Sequence, residues 1–103
     1  MNRLKIMPDY ECYCVWDLDT LDNLKPDILP ISSSLANKID IWENKYEETY
    51  NKENPIESGF ISKEDELNFD NEGRVILNCI RKELGDLYDV CYFSIVENKI
   101  IDD

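Results

Sequence analysis

Two stretches of this chain place large apolar residues at helical spacing, and they constrain its fold more than any other feature. The first stretch carries its apolar residues at intervals of 4, 3, 4 and 4: Leu35, Ile39, Trp42, Tyr46 and Tyr50. That period places all of them on one side of an α-helix, and a helix with one apolar side must bury it. We therefore predict a helix that starts at an N-cap among the serines at 32–34 and runs to about Tyr50.

The second stretch follows Ser62, whose hydroxyl can cap a helix while Asp65 occupies the third helical position. Its inward stripe combines large apolar residues with one glycine: Phe69, Gly73, Ile76, Ile80 and Leu84. Gly73 has no side chain, so another element can approach the helix closely there, and Trp42 is the expected occupant. Gly85 is placed to end this helix.

Strand-forming residues stand on both sides of the helical region. The segments 10–16 (YECYCVW) and 90–95 (VCYFSI) are rich in aromatic and β-branched residues, and residues 100–101 could add a short final strand. We predict an α+β fold in which two helices pack on one face of a small β-sheet, in the order β-α-α-β(-β). At 103 residues the chain is expected to form a single domain over residues 1–103.

Charge narrows the classes of partner. The chain has 23 Asp and Glu against 11 Lys and Arg and no His, which gives a formal net charge of −12. Such a surface repels nucleic acid and anionic membranes and steers association with a basic protein. The absence of histidine removes the commonest general base and metal ligand. We therefore expect a monomeric binding protein, not an enzyme, with no nucleic-acid or membrane partner.

Compartment and cysteine chemistry follow from the same composition. The N-terminal residues 1–8 are basic without an apolar run of signal-peptide length, and nothing further along approaches a membrane span. We therefore expect a cytoplasmic protein. Reduced thiols are the expected state of the four cysteines there: Cys12, Cys14, Cys79 and Cys91.

One motif points toward catalysis. The segment Cys14-Val-Trp-Asp-Leu-Asp-Thr20 resembles the first motif of haloacid-dehalogenase-type phosphatases, in which two aspartates share a magnesium ion. That resemblance implies, as an alternative function, a magnesium-dependent phosphatase using Asp17 and Asp19. The motif departs from the family pattern because Thr20 follows Asp19 directly, and the chain lacks a parallel-sheet scaffold of the required size.

Other metal patterns fail at named positions. A calcium loop needs a ligand, a glycine and a late glutamate where this chain has Leu21, Asp22 and Ile28. Cys12 and Cys14 are closer together than the cysteines of structural zinc knuckles. We expect no metal site and no cofactor.

The acidic residues themselves are the candidate binding groups. We expect a contiguous negative surface formed by the loop after the first strand and the polar side of the first helix, with Trp16 as an aromatic anchor rimmed by charge. The candidate partner-binding residues are Trp16, Asp17, Asp19, Asp22, Asp40, Glu43 and Glu47.

A family resemblance covers residues 12–93. It is carried by the run from Trp16 to Ser32 (WDLDTLDNLKPDILPIS), by Ile41-Trp42 with Tyr46, by Ser58-Gly59-Phe60, by Gly73, by Glu83-Leu84-Gly85 and by Val90-Cys-Tyr92. This pattern is similar to that of small acidic bacterial proteins which resemble the immunity proteins of contact-dependent inhibition and polymorphic toxin systems. The resemblance supplies no catalytic residue.

The resemblance implies a specific function. We expect an immunity protein that binds a cognate basic toxin domain one to one, a nuclease whose active site it occludes, with affinity that falls as salt rises. The alternative binding function is an acidic regulatory adaptor or nucleic-acid mimic that docks on a basic housekeeping protein.

Overall fold

The computed structural model describes residues 2–102. Within them, the β-sheet and the α-helices that cover it comprise β1 (Asn2–Ile6), β2 (Val15–Asp17), β3 (Asn23–Leu24), α1 (Ser33–Glu47), α2 (Lys63–Leu84), β4 (Tyr88–Ser94) and β5 (Lys99–Ile101). The strand order across the sheet is β3-β2-β1-β4-β5. The α+β class, with two helices on one side of a small sheet, is confirmed.

Strand β1 occupies the centre of the sheet. It pairs antiparallel with β2, with Ile6 opposite Val15, and parallel with β4, with Leu4 opposite Val90. Residues 2–6 carry too short a pattern to predict a strand, because only Leu4 and Ile6 alternate there with polar neighbours. The strand is stabilised by neighbours on both sides, which a short local pattern does not reveal.

The predicted strand over residues 10–16 is wrong in extent. Only Val15–Asp17 is a strand, and residues 7–14 form a loop from β1 that returns past α1. Glu11 has a φ of 59°, which breaks the extended conformation. Tyr10, one of the aromatic residues on which the strand prediction rested, instead attaches the loop to α1 by stacking on Tyr46.

Both helices begin and end close to their predicted limits. Ser32 Oγ accepts the Leu35 N–H at 3.1 Å, and Ser62 Oγ accepts the Asp65 N–H at 3.1 Å. Helix α2 ends at Gly85, whose φ is 56°. Helix α1 ends at Glu47, slightly before the predicted Tyr50. Local capping chemistry therefore determines three of these four ends.

The core lies between the helices and the sheet face that carries Leu4, Ile6, Val15, Val90 and Tyr92, all of which are buried. The helices contribute Leu35, Ile39, Trp42, Phe69, Ile76, Leu77, Ile80 and Leu84 to this core.

Trp42 and Phe69 join the two helices inside this core. Their rings stack with centroids 4.4 Å apart, and Trp42 Nε1 donates to the Phe69 carbonyl at 2.9 Å. Gly73 faces Trp42 and Tyr92. The contact with Trp42 is the one that the position of Gly73 on the inward stripe predicted. Among residues 2–102, no helix has the length and apolar character needed to cross a membrane.

Candidate functional site

An acidic groove forms where the loop between β1 and β2 runs along one side of α1. Its volume is about 360 Å³. The residues that line it carry four carboxylates and no basic group: Asp9, Glu11, Cys12, Tyr13, Asn23, Glu43, Asn44 and Glu47. We call this surface the acidic groove.

Two glutamates of α1 hold the loop that forms the far wall of the groove. Glu43 Oε1 accepts the Cys14 N–H at 2.7 Å, and the Glu47 carboxylate accepts the Glu11 N–H at 2.9 and 3.2 Å. Residues four apart lie on the same side of a helix, so this spacing lets both glutamates face the loop. These carboxylates satisfy backbone donors that the strand ladder does not reach.

Aromatic rings fasten the same loop near the end of α1. The Tyr10 ring stacks on Tyr46 and on Tyr50, with centroids 4.6 Å away in each case. The Tyr10 hydroxyl lies 2.7 Å from Thr49 Oγ1. Burial and the neighbouring Tyr10 raise the pKa of Tyr46 to about 12. The tyrosine cluster therefore fixes the position of Asp9 and Glu11 at the mouth of the groove.

Negative charge accumulates in the groove. Burial raises the pKa of Glu43, with a further contribution from Asp40, although hydrogen bonds from Cys14 oppose the shift. Burial also raises the pKa of the Cys12 thiol, and Asp9, Glu43 and Glu47 add to it. The smaller contributions from neighbouring carboxylates, of Asp40 to the pKa of Glu43 and of Asp9, Glu43 and Glu47 to that of Cys12, reflect the concentration of negative charge, and it is this charge that favours a cationic group from another molecule.

The second acidic segment is the turn between β2 and β3. Asp17 Oδ1 accepts the Asp19 N–H at 2.8 Å and the Thr20 N–H at 3.0 Å. Asp19 accepts the Arg3 N–H at 2.8 Å and lies 3.5 Å from the Arg3 guanidinium. The hydrogen bond from the Arg3 N–H is the main reason that the pKa of Asp19 is lowered. Both carboxylates thus have local structural partners.

Residues 2–95 match the model of a family described as Serratia CdiI immunity protein-like. The match spans both helices, the acidic groove and the central strands. The chain belongs to this family. That membership confirms the resemblance to immunity proteins of contact-dependent inhibition systems. None of the curated proteins compared with the chain matches it.

The structure distributes the predicted binding residues of this CdiI-like chain over two regions. It brings Glu43 and Glu47 together in the acidic groove, while Asp40 is exposed one turn earlier on α1. It places Asp17, Asp19 and Asp22 in or beside the β2–β3 turn instead: Asp22 is exposed, and its carbonyl accepts the Asp17 N–H at 2.9 Å.

Trp16 lies on the sheet face that the helices leave uncovered, opposite Lys5 of β1. Its ring is half-buried, and Nε1 donates to the Met7 carbonyl at 3.1 Å. Part of the ring therefore remains available as an anchor, but on a different face from the acidic groove.

Six groove residues lie outside the predicted binding set: Asp9, Glu11, Cys12, Tyr13, Asn23 and Asn44. The available signal was the pair of acids flanking Tyr10, which the strand assignment obscured. Asn23 contributes because its Oδ1 accepts the Tyr13 N–H at 2.8 Å, which closes the groove on the β3 side.

Within residues 2–102, no three Asp, Glu or Cys side chains are arranged to hold a metal ion. The four cysteines are free thiols. Burial raises the pKa of the Cys14 thiol well above its ordinary value, and the neighbouring Glu43 adds to this shift. What the arrangement offers is a rigid concave surface of hydrogen-bond acceptors.

Proposed function

We propose that this chain is an immunity protein that binds a cognate toxin domain and neutralises it, with the acidic groove receiving lysine or arginine side chains of the toxin. The observation that carries the proposal is the acidic groove in a chain of the CdiI immunity-like family: four carboxylates line it without a basic residue. The proposed action is binding and not catalysis, and it takes place in the cytoplasm.

The proposed toxin is a nuclease with a basic active-site cleft. A nuclease binds phosphate groups through Lys and Arg, and carboxylates can occupy the positions that those phosphates would take. The net charge of −12 supports fast encounter with such a cleft through electrostatic steering. The complex is proposed to be one to one, with the active site covered by the bound immunity protein.

The candidate residues have different parts in this proposal. Asp9 and Glu11 present their carboxylates to the toxin, because neither makes an ion pair among the described residues. Glu43 and Glu47 hold the loop and add charge behind them. The remaining candidates extend the contact beyond the groove: Trp16, Asp17, Asp19, Asp22 and Asp40.

The test is calorimetry with the C-terminal domain of the toxin protein encoded immediately upstream, together with growth of cells that express that domain. We expect nanomolar one-to-one binding, weaker at high salt, and restored growth. The wild-type chain failing both to bind and to protect would refute the proposal, and capture of a basic housekeeping protein in its place would favour the adaptor function.

A matched pair of variants locates the contact. Asp9→Asn with Glu11→Gln should weaken binding by about 10- to 100-fold at low salt. The control, Asp86→Asn with Glu57→Gln, removes the same charge from exposed positions outside the groove. Equal losses for both pairs would mean that net charge, and not the groove, drives association.

A further inference from the structure

The two helices form a second concave surface on the side of α1 that faces away from the acidic groove. It consists of two hollows of about 620 and 450 Å³ that share Asn68 and Glu72. We call it the helix cleft. The first hollow is bordered by Ile41 and Val75, and the second by Ile61.

Apolar side chains stand exposed along this cleft. Ile41 is 51% exposed, Val75 is 57% exposed and Ile61 is completely exposed. None of the three belongs to the core. They are exposed in a chain of which 33% of the residues are charged. Exposed apolar groups gathered in a concave surface are typical of a contact site.

The loop that carries Ile61 is held in place by its own hydrogen bonds. The Gly59 N–H donates to the Thr49 carbonyl at 3.0 Å, and the Asn51 N–H donates to Ser58 Oγ at 2.7 Å. Ile61 then directly precedes Ser62, the N-cap of α2. The backbone that carries Ile61 is therefore ordered on both sides, and a loop ordered before binding loses less entropy when a partner covers it.

Charge sets the polarity of the cleft. Lys45 of α1 pairs with Glu72 of α2, with N–O distances of 2.8 and 2.9 Å, and Glu72 lines both hollows. With that pair neutralised, Glu48 and Asp65 remain beside Ile61, and Lys38 remains beside Ile41. Among residues 2–102, no basic side chain pairs with Glu48 or Asp65. The Ile61 end is therefore negative.

We propose that the helix cleft binds an apolar segment of the same toxin domain, with a lysine or arginine of that segment beside Glu48 and Asp65. This inference rests on the proposed function. The bound segment covers the exposed aliphatic side chains of the cleft, Ile41, Val75 and Ile61. The cleft and the acidic groove lie on opposite sides of α1, so one partner that straddles α1 reaches both. The groove steers the encounter, and the apolar contacts of the cleft supply affinity that salt does not weaken.

The test is calorimetry of the upstream-encoded toxin domain with the double variant Ile61→Ser and Val75→Asn. We expect about a 10- to 100-fold loss of affinity, equal at low and high salt, because apolar contacts are not screened. The control is Ile28→Ser with Leu87→Asn, two aliphatic residues that are 63% and 62% exposed outside the cleft.

Its outcomes separate this inference from the proposed function. If the wild-type chain binds the toxin domain and the cleft variant binds within twofold of the control variant, the cleft inference fails and the immunity function stands. If the wild-type chain does not bind at all, the proposed function fails. Dimers of the free wild-type chain that the cleft variant abolishes would assign the cleft to a second copy and overturn the inference.

Discussion

Among the three glycines, Gly73 is the one at which the packing leaves no room for a side chain. A Cβ at this position would lie 2.5 Å from Trp42 Cζ2 and closer still to the Tyr92 hydroxyl oxygen. Both rings are buried, so neither can move aside. The hydroxyl of Tyr92 is further fixed because it donates to Asp70 Oδ1 at 2.9 Å.

We predict that Gly73→Ala destabilises the fold by about 1–3 kcal/mol, because overpacking outweighs the gain in helix propensity. Urea unfolding would measure this. Asn78→Ala, on the exposed side of the same helix, is the control and should change stability by no more than about 0.5 kcal/mol. Equal stability of the two variants would show that the helices can separate at Gly73.

Glu43 makes stability depend on pH in a direction opposite to that of a salt-bridged acid. Burial is the main reason that the pKa of Glu43 is raised in the folded chain. At a pH between the ordinary and the raised pKa, the folded chain therefore keeps a proton on Glu43 that the unfolded chain has released. Protonation therefore stabilises the fold below the ordinary pKa, and this contribution is lost as pH rises through the folded pKa.

We predict that Glu43→Gln keeps the acceptor for the Cys14 N–H and abolishes this contribution. Relative to the variant, the wild-type chain should gain stability as pH falls from 7 to about 4.5. Glu43→Ala, which removes both the acceptor and the ionisable group, should cost about 1–3 kcal/mol at pH 7 and more as pH falls. Parallel stability curves for wild type and Glu43→Gln would contradict the role assigned to burial.

At the scale of elements, the fold depends most on β1. It links β2 to β4, and its Leu4 and Ile6 are fully buried under the helices. Strand β5, by contrast, lies at an edge of the sheet, and its Ile100 is 54% exposed. The two strands should therefore respond very differently to loss of an aliphatic side chain.

We predict that Leu4→Ala lowers the free energy of unfolding by about 2–5 kcal/mol, the usual cost of a cavity in a packed core. The comparison variant Ile100→Ala should cost no more than about 1 kcal/mol. Thermal and urea unfolding would measure both. A small loss for Leu4→Ala would mean that the sheet persists without a well-packed central strand.

At the scale of the whole molecule, the acidic groove is lined by carboxylates without an aliphatic residue, whereas the helix cleft carries exposed Ile41, Val75 and Ile61 beside its charged groups. The acidic groove and the helix cleft lie on opposite sides of α1, and each is suited to a different part of binding. Long-range attraction governs the rate of encounter, whereas short-range packing governs how long the complex lasts.

We predict that raising the salt concentration to about 0.5 M slows association of the toxin domain with the wild-type chain while leaving dissociation within about threefold. The groove variant Asp9→Asn with Glu11→Gln should reduce this salt sensitivity. The cleft variant should instead dissociate faster at every salt concentration. Stopped-flow association and dissociation traces at several salt concentrations would measure these rates.

Much of the helical layer was predictable because its signals are local. Ser32 and Ser62 cap their helices through N–H groups three residues away, and Gly85 ends α2 with a positive φ. The stripes of α1 and α2 required only the helical period. The sequence of residues 10–16 could not distinguish a strand from a loop. Aromatic residues are common in strands, but they also occur in loops that pack against a helix, as Tyr10 does here.

The two helices, their caps, the close approach at Gly73 and the charge of −12 all follow from the order of the residues. The central place of β1 in the sheet, and the groove in which Asp9 and Glu11 join Glu43 and Glu47, arise only when the chain folds. These features depend on contacts between residues that are far apart along the chain. The hydrogen bonds that form the groove join residues 29 and 36 positions apart, and no local pattern encodes such pairs until the chain has folded around its core.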